Sequence, residues 1–75
     1  MNLALEDFLN KLEKGVLVHF IVSTNTTIIG KFSRVDERKE NIILDMASAF
    51  GETLFGETNI VISEITAWGV GGKFV

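Results

Sequence analysis

A single glycine, Gly30, sits inside an apolar run in Ile28–Leu44, which reads IIGKFSRVDERKENIIL. Glycine weakens a strand interior, because it adds backbone entropy and packs nothing. Its presence there implies a strand that bends sharply or lets another backbone come close. Two apolar runs flank a charged turn bracketed by Asp36 and Asn41, residues whose short side chains bond nearby backbone amides. The stretch is therefore read as a bent hairpin, with the rest of the chain as its frame.

With 75 residues and no cysteine, the chain forms one small domain, residues 1–75, with no disulfide to staple it. A domain of this size buries only about 60% of its unfolded surface, and oligomerisation is the remaining way to stabilise it. One histidine offers no zinc-ligand set, so neither metal nor cofactor is expected. The net charge of −3 argues against broad electrostatic binding of nucleic acid. Residues 31–40, however, set Lys31, Arg34, Arg38 and Lys39 against Asp36, Glu37 and Glu40, a local surplus of one positive charge. The longest apolar run, Val16–Val22, is too short to span a bilayer, and no secretory signal is read. The expected location is cytoplasmic.

The spacing of Leu5, Phe8, Leu9 and Leu12 predicts a helix over about 3–14, with Asn2 as cap and Gly15 as stop. Its polar face mixes charges, so it is read as cover for a small sheet rather than as a membrane-surface helix. Strands are predicted over about 16–23, 27–35, 41–50, 58–62 and 65–70, with a flexible tail over 71–75. In the third strand, strict alternation puts Ile42, Leu44 and Met46 on one face and Ile43, Asp45 and Ala47 on the other. Phe50, Leu54 and Phe55 are unusual for a loop and could extend the flanking strands. Ile60, Val61 and Ile62 cannot all face one core, and an edge this apolar aggregates unless it is paired or covered.

One helix followed by five antiparallel strands, the second strongly bent, describes a mostly β SH3-like open barrel. The order resembles the Sm and Sm-like family, whose bacterial members include Hfq. The specific part is Gly30, Phe32, Val35 and Asp36, then Asn41 with Ile42 and Leu44, which is similar to the family's first motif. The step from Asp36 to Asn41 is one residue longer than in that motif. The second motif, Ile-Arg-Gly or Lys-His, is matched by neither form: Ile62-Ser63-Glu64 stands there.

The resemblance implies a homo-oligomeric ring of five to eight protomers, in which the fourth strand of one copy pairs with the fifth of the next. Its interface would draw on Ile60, Val61, Ile62, Ile65, Ala67 and Trp68. It further implies binding of short single-stranded RNA at an inner rim. There Asn41 would read a base edge, Asp36 would hold the loop, Lys39 would take the stacking position with Arg38 beside it, and Ser63 would stand in for a cation. Turn chemistry alone accounts equally for Asp36 and Asn41, and a solvated turn is the simpler account of Arg38 and Lys39. A lone histidine in an apolar strand reads as structural, and so does His19. The alternative is a structural or protein-interaction ring that has lost the RNA site. No acid/base or nucleophile spacing suggests an enzyme.

Overall fold

The computed structural model describes residues 3–49, 52–53 and 56–71. Helix α1 (Leu3–Asn10) is followed by β1 (Leu17–Val22), β2 (Thr27–Val35), β3 (Asn41–Ala49), β4 (Glu52–Thr53) and β5 (Glu57–Val61). A 3₁₀ turn (Ile62–Glu64) leads into β6 (Ile65–Val70). The protein is mostly β, with five principal strands in one antiparallel sheet and β4 as a two-residue extension. The order runs β3–β2–β1–β6, with β4 and β5 both paired to the outer side of β3. No β5–β6 pairing occurs among the described residues, so the sheet is not closed. The predicted cap Asn2, the residues Phe50, Leu54 and Phe55, and tail residues 72–75 lie outside the described residues.

The helix ends four residues earlier than the apolar spacing predicts. Lys11 and Leu12 donate to the carbonyls of Phe8 and Leu9, an i→i+3 pattern that tightens the last turn. The chain must then swing into β1. Gly15, at φ +92°, makes that turn and donates its N–H to Phe32 at 2.8 Å. Leu5 and Leu9 enter the core, and Phe8 packs edge-on to Phe20 with centroids 6.4 Å apart.

Gly30 meets the expectation of a close backbone approach. A Cβ built there falls 2.9 Å from the Ala47 Cα and 3.2 Å from the Asp45 carbonyl oxygen, so β3's backbone occupies that space. Beside it the β2–β3 register slips between Ile29 and Lys31, and again between Phe32 and Arg34. The first slip is a bulge on β3, with Met46 at φ +51°; the second lies on β2 at Ser33.

The first bulge corrects the predicted alternation of the third strand. Ile42 and Leu44 face the core as expected, but the extra residue turns Met46 outward, 52% exposed, and brings Ala47 into the core. One inserted residue reverses every later position, because the side-chain period in a strand is two. Val18, Phe20 and Phe32 complete the core from β1 and β2, and Ile60 and Ile62 close it from the far side of β3.

Candidate functional site

The turn between β2 and β3 is built around one carboxylate. Asp36 Oδ1 accepts the backbone N–H groups of Glu40 at 2.8 Å and Asn41 at 3.1 Å. Its Oδ2 accepts from the Asn41 side-chain amide at 2.9 Å. The backbone closes the same loop, with Asp36 N–H donating to the Asn41 carbonyl at 3.0 Å and Lys39 N–H to the Asp36 carbonyl at 3.0 Å. Lys39 takes the left-handed position, φ +57°, that lets four residues span the hairpin. The side-chain bond from Asn41, then the backbone donors, hold the Asp36 carboxyl below its ordinary range.

This arrangement orients Asn41. A carboxylate only accepts, so the NH₂ end of the Asn41 amide must face Asp36. The amide oxygen and the second N–H then remain for a ligand. The side chains of Arg38 and Lys39 are exposed and make no ion pair with the described residues. Arg34, by contrast, is committed to a two-pronged pair with Glu57 across β3, at 2.6 and 3.4 Å. A shallow cavity of about 50 Å³ lies beside the turn, where Glu6, Leu9 and Asn10 of α1 approach Val35 and Lys39.

The structure brings a second, distant segment to this turn. Asn41 pairs with Val61 in the β3–β5 ladder, and Ile62 donates its N–H to the Glu40 carbonyl at 2.8 Å. Ile62 is buried, which anchors the 3₁₀ turn. Exposed Ser63 follows immediately, in a turn whose first residue is bonded to the neighbour of Asn41. Asp36 and Asn41 are thus bonded together, the Ser63 turn is tied to the same loop through Glu40, and Arg38 and Lys39 stand at the loop's tip.

Nothing in the local sequence singles out Ser23, yet it holds the 3₁₀ turn from its β1 side. It stands in the four-residue β1–β2 turn, and its hydroxyl donates to the Glu64 carboxylate. Forty-one residues separate the two, so only the pairing of Val22 with Ile65 reveals the contact.

The residues expected at an interface divide into two groups. Ile60 and Ile62 are buried in the chain's own core, while Ile65 and Trp68 are half-buried and pack against it. The Trp68 ring lies 6.3 Å from that of Phe8. Val61 (47% exposed) and Ala67 face outward, as does Val70 (64%), which the sequence did not single out. His19 donates its Nδ1–H to the Gly71 carbonyl at 2.7 Å, and its ring fills the space a Cβ on Gly69 would need. A carbonyl only accepts, so the proton is on Nδ1. This contact ties the end of β6 to β1.

Among the described residues no three His, Cys, Asp or Glu side chains converge as a metal site, and no helix is long and apolar enough to cross a membrane. The Asp36–Asn41 loop offers an oriented amide and two exposed cationic side chains. Compared with family models, curated proteins and solved structures, the chain matches none.

Proposed function

We propose that this chain has an Sm-like fold, assembles into a homo-oligomeric ring, and binds short single-stranded RNA at the surface formed by residues 36–41 and Ser63. The observation that carries the reading is the Ile62–Glu40 bond, which ties the Ser63 turn to the Asp36–Asn41 loop, with Asp36 fixing the orientation of the Asn41 amide. An amide presented in this way reads the Watson–Crick edge of an unstacked base, while the Arg38 guanidinium stacks on it and Lys39 meets phosphate.

Assembly is supported by the sheet order. Among the described residues the principal strands at its two ends, β5 and β6, pair inward only, and each carries an exposed valine. Head-to-tail pairing of β5 in one copy with β6 in the next leaves no free edge once the ring closes. A ring repeats each weak local site, and the combined affinity exceeds that of a single site many-fold. Because the chain is acidic elsewhere, binding is confined to one rim and falls steeply with salt.

The test is a fluorescence titration with oligouridine and oligoadenosine at low salt, alongside the native mass of the assembly. Asn41→Ala should weaken binding about two- to ten-fold per site, the worth of one hydrogen bond, with the assembly mass unchanged. Absence of binding to both oligomers sinks the RNA reading, and a stable 8.3 kDa monomer at micromolar concentration sinks the ring.

A second reading has its own support. Ser63 supplies no positive charge where the resemblance calls for one, and Glu64 beside it is acidic. A ring that serves as a protein-interaction platform fits those two residues. A nuclease-treated pull-down that recovers protein and no nucleic acid selects it.

A further inference from the structure

The Ile62–Glu64 turn is held from two sides. On the β3 side, Ile62 bonds Glu40 at the candidate RNA surface. On the β1 side, the Ser23 hydroxyl holds the carboxylate of Glu64. Ser23 is itself well placed to do so. Its turn is closed by Val22 N–H to the Thr26 carbonyl at 3.0 Å and Asn25 N–H to the Val22 carbonyl at 2.8 Å, with Asn25 at φ +61°. The Thr24 and Thr26 hydroxyls bond each other at 2.9 Å. Val22 pairs with Ile65, so the residue after Val22 must lie beside the residue before Ile65. Strand register therefore brings Ser23 within reach of Glu64.

Glu64 adjoins Ser63, and its side chain is long enough to swing toward whatever binds there. A negative charge free to do so would meet the phosphates of a bound strand. We infer that Ser23 is a positioning residue that draws the Glu64 charge to the β1 side of the turn and keeps the Asn41–Ser63 surface open to an anionic backbone. This rests on the RNA-binding reading above. Moving a carboxylate from about 5 to about 8 Å from a phosphate in water changes the local affinity roughly two-fold, and a ring compounds that factor over its sites.

The experiment compares wild type with Ser23→Ala, Ser23→Thr, Glu64→Gln and the Ser23→Ala/Glu64→Gln pair. Each is titrated with oligouridine at low and high salt, with assembly mass measured throughout. Ser23→Ala should bind about two-fold or more weakly at low salt, with the deficit shrinking as salt screens the charge. Ser23→Thr keeps the hydroxyl and should match wild type. The double variant should bind as well as Glu64→Gln alone, because with no charge to position Ser23 has nothing to do. A Ser23→Ala protein that binds like wild type, a double variant as weak as Ser23→Ala, or a change of assembly mass in Ser23→Ala each overturns the inference. Failure of the wild type to bind overturns the RNA reading itself and this inference with it.

Discussion

Replacing Gly30 with alanine isolates the close approach of β2 and β3. The backbone at Gly30 is not in the left-handed region, so alanine adopts it without torsional strain. Against glycine, alanine then gains about 0.5–1 kcal/mol from the smaller entropy of its unfolded chain. The opposing effect is steric. The new Cβ stands 2.9 Å from the Ala47 Cα, 3.1 Å from its Cβ and 3.2 Å from the Asp45 carbonyl oxygen. Two of these three atoms are backbone, which cannot rotate away, and Ala47 is fully buried. Forcing one methyl into a packed interior costs about 1–3 kcal/mol. The contact outweighs the entropy gain, and a net loss of about 1–2 kcal/mol is expected.

In a chain this small, each kcal/mol lowers the melting temperature by about 4–8 °C. Urea unfolding should show a lower midpoint with unchanged slope, compared at one fixed protein concentration so that any self-association acts equally on both proteins. Adding Ala47→Gly should recover only part of the loss, since it removes the Cβ contact and leaves the nearer Cα. A Gly30→Ala protein as stable as wild type would refute the reasoning, because β3 would then yield freely.

Other consequences can be checked alongside. Ile60→Ala should destabilise the protomer by about 2–5 kcal/mol by opening the core, whereas Val61→Asp should leave the fold by circular dichroism and reduce the native mass. Met46→Gly should raise stability by about 0.5–1 kcal/mol in thermal melts, because an exposed side chain is removed from a left-handed position. The Asp36 and Glu57 carboxyls are held low, by hydrogen bonds from Asn41 and the backbone and from Arg34 respectively. Their stabilisation is therefore complete above the ordinary carboxylate range, near pH 4, and is lost as pH falls through the lowered folded values. Asp36→Asn and Glu57→Gln should each flatten the acid limb of a stability–pH curve.

Which elements form is written locally. The apolar spacing from Leu5 to Leu12, the alternation from Val16 to Val22 and the Asp36–Asn41 bracket each name a helix, a strand and a turn, and each is found. Local patterns are readable because they report on neighbours within a few residues. The errors fall where a distant strand intervenes. Helix α1 stops at Asn10 because the next residues must reach Phe32, and the predicted face of Met46 is reversed because β3 bulges to pass Gly30.

The candidate site shows the same division. Asp36 and Asn41 stand out from sequence, since the bonds between them span five residues. The bond from Ile62 to Glu40 and the Ser23–Glu64 contact join segments with no local signature in common. Residue type sets which backbone states and hydrogen bonds a short segment can adopt, and so the elements and the turn were legible in the chain. Which turns meet depends on strand order and register. Those emerge only when the register shifts and the close approach at Gly30 let the strands wrap a shared core.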